Sequence, residues 1–269
     1  MMSLKTRFIQ ATTAFNTFEK NVPAYYFRRA FHVKEAGAAK LTVAVCGFYE
    51  LYWNGAKITR GFLSPYISNT NDYIYCDEYE VTLNAGENVI GLMLGNGFQN
   101  NPGGYIWDFD QAAFRSAPKV ALSLTISTEN GAQEVLYTDT QFKIAPSPIR
   151  SDDYRSGEHN DANNEIAGWN KIGFDDTGWA NALAAEAPNG ELRVADVDPI
   201  VQEREIRPVA IIPYGDDFIY DFGESNAGVC RLTVNGEKGQ KIELRHADSR
   251  QEDGDMNIRQ IWFPRDNPW

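Results

Sequence analysis

The chain has 269 residues, with 37 acidic against 25 basic side chains and a net charge of −12. That balance repels nucleic acid and anionic membrane surfaces; it suits a neutral ligand, or a cation held by carboxylates. Three cysteines, Cys46, Cys76 and Cys230, are odd in number and widely spaced, which excludes a disulfide scaffold and a zinc ribbon. His32, His159 and His246 show no metal spacing. Aromatics make up 13% of the chain. Such rings favour strands, and they also stack on the apolar faces of pyranose sugars. No segment reaches the ~18 apolar residues of a membrane-spanning helix. No signal-peptide pattern is present, and Met1-Met2-Ser3-Leu4 reads as an expression scar that replaced a leader. A cytoplasmic, a periplasmic and an extracellular location all stay open.

In chain order, residues up to Pro23 have weak periodicity and read as an extended arm or short strand. An aromatic strand follows at 25–33. Residues 40–52 read as one β run, closed by Asn54-Gly55, the dipeptide that best accepts the positive φ values of a tight hairpin. Residues 72–81 alternate, 84–88 turn the chain, and 89–94 form a buried strand. The Gly/Asn-rich stretch 95–104 is expected to be an exposed loop and a binding edge. Residues 120–127 and 134–137 form a further pair around Asn130-Gly131. Residues 181–187 are the best helix candidate. A second β unit begins near Arg207, with a strand at 218–222 and a hairpin-like pair, 230–234 with 241–247, around Asn235-Gly236. Many short strands at roughly 8–12-residue spacing indicate an all-β sandwich or jelly roll. The second unit shows few strands for an independent sandwich, and Ile261-Trp262-Phe263-Pro264 is apolar, so the natural protein is expected to continue past Trp269.

Four segments together resemble the N-terminal region of bacterial α-L-rhamnosidases. The first is Gly47-Phe48-Tyr49-Glu50-Leu51-Tyr52-Trp53-Asn54-Gly55, followed by Leu63-Ser64-Pro65. The second runs through Tyr79-Glu80-Val81-Thr82 and Gly86-Glu87-Asn88 to Leu94-Gly95-Asn96-Gly97-Phe98. In it Asn96 and Phe98 replace the family's commoner Asp and Trp. The third, and most specific, is Ser151-Asp152-Asp153-Tyr154, Gly157-Glu158, Asp161-Ala162, Gly168-Trp169 and Phe174-Asp175-Asp176-Thr177-Gly178-Trp179. The fourth is Tyr220-Asp221-Phe222-Gly223-Glu224, with Arg245-His246-Ala247 in step after it. The resemblance implies an all-β chain: a galactose-binding-like jelly-roll β-sandwich at 5–190, then the truncated start of a concanavalin-like β-sandwich at 200–269. It also implies a parent glycosidase that hydrolyses terminal α-L-rhamnose from glycans. The parent's acid and base sit in an (α/α)₆ barrel further downstream, so no catalytic residue is expected here. The rest of its own chain is then the expected partner.

Two residue groups carry chemistry of their own. Asp152, Asp153, Glu158 and Asp161 crowd one polar stretch with Arg155 and His159. Crowded carboxylates shift one another's pKa values, as glycosidase acid–base pairs do. Turn chemistry explains the same residues, so they are expected to dock the next domain or rim its cleft. The second group is Asn69, Asn71 and Asp72 with Trp107, Asp110 and Arg115. Amide and carboxylate oxygens suit sugar hydroxyls, and Asn71 with Asp72 would suit Ca²⁺. Trp107 would stack on a pyranose. The alternative to a scaffold is therefore a binding module for L-rhamnose-type sugars, with Ca²⁺ the one cofactor indicated.

Overall fold

The computed structural model describes residues 2–103, 108–127, 133–154 and 157–257. The chain divides into two compact units, one running to Ile200 and the other from Val201.

The first unit is a sandwich of two sheets. Its strands are β1 (Ile9–Gln10), β2 (Tyr25–Val33), β3 (Gly37–Cys46), β4 (Phe48–Trp53), β5 (Ala56–Lys57), β6 (Tyr73–Leu83), β7 (Gly86–Gly95), β8 (Lys119–Ser127), β9 (Gln133–Tyr137), β10 (Lys143–Pro146), β11 (Ile149–Asp153), β12 (Gly157–Asn160), β13 (Ala180–Asn181), β14 (Leu183–Ala184) and β15 (Glu191–Val194). One sheet runs β14-β1-β8-β3-β6-β15, with β9 paired to β8; the other runs β13-β10-β2-β7-β4-β5. β11 and β12 form a separate two-stranded hairpin.

Period-two alternation sorts the side chains between the faces. Leu41, Val43 and Val45 of β3 and Leu122 and Leu124 of β8 point inward, against Phe27, Leu51 and Leu92 of the facing sheet. The intervening Ala44, Cys46, Cys76 and Ala121 pack on the outer side beneath Leu4 and Phe8. Desolvation pushes the Cys46 and Cys76 thiols up to about 12, so both behave as small apolar fillers.

Several expectations change. The β run at 40–52 is two strands in opposite sheets, broken at Gly47. Gly47 has φ +131°, and a Cβ there would lie 2.4 Å from the Gly95 carbonyl oxygen, so only glycine permits this crossing. The amino-terminal stretch holds a helical turn, α1 (Met2–Lys5), ahead of β1. Leu4 is 3% exposed, so it belongs to the core. Residues 181–187 are extended, not helical. The Ala182 and Ala185 N–H groups bond the carbonyls of Phe142 at 2.8 Å and Phe8 at 2.9 Å, so long-range partners take the donors a helix would need. Residues 191–194 pair with β6 in parallel, and Phe62 bridges Ile200, which carries the first unit to Ile200.

Asn54-Gly55 turns β4 into β5 as its composition predicts, with φ values of 48° and 91°. The Asn54 side chain also accepts the Val89 N–H at 2.7 Å and donates to Asn88 Oδ1 at 3.1 Å. Asn54→Ala combines left-handed strain with loss of these bonds, so it is expected to cost about 2 kcal/mol. A lowered urea midpoint at unchanged m-value checks this.

In the second unit β16 (Ala210–Tyr214) and β17 (Asp217–Asp221) form an antiparallel pair. The expected partnership of 230–234 with 241–247 carries no strand assignment in the structure. Leu232, Val234, Ile242 and Leu244 are 42–52% exposed, so neither segment buries an apolar face.

Candidate functional site

The acidic hairpin β11–β12 is built by alternation. Its register sets Asp152 opposite Glu158 on one face, and Ser151 opposite His159 on the other. Asp152 points into the turn that follows β7. It accepts the Asn96 backbone N–H at 2.7 Å, the Asn96 side-chain amide at 2.7 Å and the Gly97 N–H at 3.3 Å. A Cβ on Gly95 would lie 3.0 Å from Asp152 Oδ2, so glycine makes room for the carboxylate. Burial pushes the Asp152 carboxyl up, and the donors from Asn96 and Gly97 pull it back down. Asp153 accepts the Asn101 amide at 3.1 Å. Asp161 caps the 3₁₀ turn Ala162–Asn164, accepting from Asn163 N at 3.1 Å, Asn163 Nδ2 at 2.8 Å and Asn164 Nδ2 at 2.7 Å. Those donors hold its carboxyl below the usual range. All four acidic candidates bond to the protein's own amides, since Glu158 is bonded to the Asn160 side chain.

Glu158 is the exposed member. Desolvation on its protein-facing side raises its carboxyl; the hydrogen bond with the Asn160 side chain pulls it back, and the charges of Asp152 and Glu50 raise it again. A carboxyl raised in the fold weakens the folded state above the ordinary carboxylate range and has no such effect below it. Glu158→Gln is therefore expected to stabilise the fold slightly at pH 7, by a screened few tenths of a kcal/mol, as opposed like charges are relieved, and so to raise Tm. The gain should fade as pH falls through the ordinary carboxylate range, which a Tm-against-pH series checks.

The stretch after β7 is not the exposed loop that its glycines and asparagines suggest. Asn96, Gln99, Asn100 and Asn101 are all buried. Asn96 Nδ2 also donates to the Val22 carbonyl at 2.7 Å. Asn100 Nδ2 donates to Asn96 Oδ1 at 2.8 Å, and Asn100 Oδ1 accepts the Asn16 N–H at 3.1 Å. Asn16 Oδ1 in turn accepts the Val22 N–H at 3.0 Å. This amide chain lets a polar segment be buried without orphaned groups, and it ties the amino-terminal arm to the acidic hairpin.

The second group gathers around Gln99. Thr70 Oγ1 donates to Gln99 Oε1 at 3.1 Å, and Gln99 Nε2 donates to Ser116 Oγ at 3.0 Å. The 69–72 turn and the segment holding Asp110 and Arg115 therefore meet the same side chain. Asn69 Oδ1 accepts the Asn71 N–H at 3.1 Å, and Asn69 Nδ2 donates to Asp72 Oδ2 at 2.8 Å, an Asx-type turn. Arg115 donates to the Asp110 carbonyl at 3.0 Å and the Asn16 carbonyl at 2.6 Å, and it lies 4.8 Å over the Phe15 ring. Burial lowers its pKa, with Asp110 opposing. Trp107 lies outside the described residues. Among the described residues, no group of three or more His, Cys, Asp or Glu is placed to hold a metal ion.

Sequence reasoning missed a third group, on the outer face of the second sheet. Tyr26, Met93 and Glu50 share one row, and Arg28, Gly91 and Tyr52 share the next. Trp169 lies over Gly91, where a Cβ would come within 2.9 Å of its ring. It stacks on Tyr26 at 4.1 Å and meets Tyr52 edge-on at 5.3 Å. Tyr52 donates to Glu50 at 2.6 Å, and Lys57 pairs with the same carboxylate. Desolvation raises both Tyr26 and Tyr52, so both phenols stay protonated. Beneath them Arg28, 1% exposed, donates to the Trp169 carbonyl at 2.9 Å and the Lys171 carbonyl at 3.1 Å, and pairs with Asp176. The sequence signal was the Gly-Trp and Asp-Thr-Gly-Trp string itself; what it lacked was the strand face that string covers.

Comparison with known proteins agrees with this architecture. Residues 34–204 match the α-L-rhamnosidase N-terminal domain, and residues 214–267 match the bacterial α-L-rhamnosidase concanavalin-like domain. An α-L-rhamnosidase of Formosa agariphila is 29% identical over 229 residues, covering 82% of this chain and 24% of that protein. The solved α-L-rhamnosidase of Dictyoglumus thermophilum superposes with a TM-score of 0.82 at 28% identity, covering 95% of this chain and 30% of that one. The Streptomyces avermitilis α-L-rhamnosidase, solved with L-rhamnose, gives a TM-score of 0.80 at 27% identity, covering 88% of this chain and 23% of that one. The chain thus spans about a quarter of the length of the relatives it matches. With the matched model covering most of the sandwich and its acidic hairpin, the chain belongs to the α-L-rhamnosidase N-terminal domain family.

Proposed function

We propose that this chain is the non-catalytic accessory β region of an α-L-rhamnosidase, and that it supports and orients a catalytic unit elsewhere in the parent protein. The parent would hydrolyse terminal α-L-rhamnose from glycans, with its acid and base in an (α/α)₆ barrel that this region helps to position. One observation supports this reading most directly. In the acidic hairpin, the most active-site-like cluster in the sequence, Asp152, Asp153 and Asp161 accept hydrogen bonds from Asn96, Gly97, Asn101, Asn163 and Asn164. An inverting glycosidase needs one carboxyl free to protonate the leaving oxygen and another free to activate water, roughly 6.5–9.5 Å apart. Carboxylates committed to backbone and amide donors serve neither task; they hold a loop in place. The remaining exposed surface, including Glu158, is then available to the rest of the parent protein or to the rim of its sugar cleft.

Calorimetric titration of the 269-residue chain with L-rhamnose, with and without Ca²⁺, tests the scaffold role against a binding role. The scaffold reading expects no saturable heat at millimolar sugar in either condition. Saturable binding that needs Ca²⁺ and is lost in Asn71→Ala and Asp72→Ala would make the chain a sugar-binding module instead.

A further inference from the structure

The second unit brings together a cysteine and a histidine from separate segments. Cys230 Sγ and His246 Nε2 lie 3.1 Å apart, although 16 residues separate them in sequence. Both side chains are exposed. The pair is specific to one of three cysteines. Cys46 and Cys76 are buried in an apolar layer, with their thiols pushed up to about 12 by desolvation. The neighbouring cations already have carboxylate partners: Arg231 pairs with Glu205 at 2.5 Å, and Arg245 lies 4.0 Å from Glu243. Among the described residues, the imidazole is the group at hydrogen-bond distance from the sulfur. A thiolate, not a thiol, is the nucleophile, and an adjacent imidazole is the usual group that takes its proton.

We propose that Cys230 and His246 form a nucleophilic thiol–imidazole pair, and that its reactant is a hydroperoxide. His246 Nε2 takes the thiol proton. The Cys230 sulfur then attacks one peroxide oxygen, so that an S–O bond forms as the O–O bond breaks. The departing oxygen takes the proton back from the imidazolium and leaves as water or an alcohol. With hydrogen peroxide the balance is thiol plus H₂O₂ giving sulfenic acid plus water. The sulfur loses two electrons and the peroxide gains them. The product is a reversible modification at the start of the cysteine oxidation ladder.

The test uses the full 269-residue chain, hydrogen peroxide, and dimedone to trap sulfenic acid, with the modified cysteine located by mass spectrometry. The folded chain is expected to carry the adduct on Cys230 and none on Cys46 or Cys76. Trapping at Cys230 should run about tenfold or more faster in the folded chain than in the chain unfolded in urea, because proximity to a base is lost on unfolding. His246→Gln should remove most of that advantage, and Cys230→Ser should abolish the adduct. Equal rates at Cys230 in folded and unfolded chain would overturn the proposal. So would a folded His246→Gln variant that reacts as fast as the parent chain. Should that variant fail to fold, the folded-against-unfolded ratio of the unaltered chain decides.

Discussion

Replacing Arg28 by Met is expected to destabilise the first unit by about 3–5 kcal/mol, the usual cost of removing one member of a buried ion pair. Arg28 is 1% exposed and lies in the middle of β2, where an isolated charge would not be tolerated. It is held by the Trp169 and Lys171 carbonyls and by the Asp176 carboxylate. Methionine fills much of the volume but leaves those acceptors without a donor. The segment carrying Trp169 and Asp176 covers the outer face of the second sheet, so its anchor is lost with the guanidinium. For a unit of this size the change corresponds to a fall in Tm of roughly 6–20 °C. Asp176→Asn should cost less in the Arg28→Met background than alone, because the two share one interaction. Additive losses would show that the segment is held by its ring contacts and not by this pair.

Asp152→Ala is expected to cost a similar amount, about 3–5 kcal/mol, for a different reason. The substitution orphans the N–H groups of Asn96 and Gly97 and one hydrogen of the Asn96 amide, each worth ~1–3 kcal/mol when buried without a partner. The Asn96 side chain also joins the amide chain to Asn100 and Asn16, so the amino-terminal arm should loosen together with the hairpin. Hydrogen exchange should therefore quicken at Val22 and Asn16 as well as at Gly97. A loss of stability confined to the hairpin would contradict the shared network.

Both effects bear on what was legible beforehand. The longer strands were, because Leu41, Val43 and Val45 recur at every second position, the period of a strand with one face on a core. So was the turn at Asn54-Gly55, whose φ values its residues demand. The strands at 180–184 were not, because Ala and Leu favour a helix locally and the strands they pair with, β10 and β1, lie far along the chain. Burial of Asn96, Gln99 and Asn100 was hidden for a related reason. Amides in a glycine-rich stretch look solvated until their partners are known. The acidic candidates were found as a cluster, but their role lay in what they face. Asp152 and Glu158 are opposite one another in a hairpin, yet one is locked into a turn and the other is exposed.

The most direct test of the account is hydrolysis of an aryl α-L-rhamnoside by the 269-residue chain, followed by release of the aryl group and run beside Asp152→Ala and Glu158→Gln. No release above buffer in any of the three is the predicted result. It would leave the carboxylates of this hairpin with a structural task. Turnover by the unaltered chain that disappears in either variant while that variant stays folded would contradict it, and would place a glycosidase acid or base in the β11–β12 hairpin.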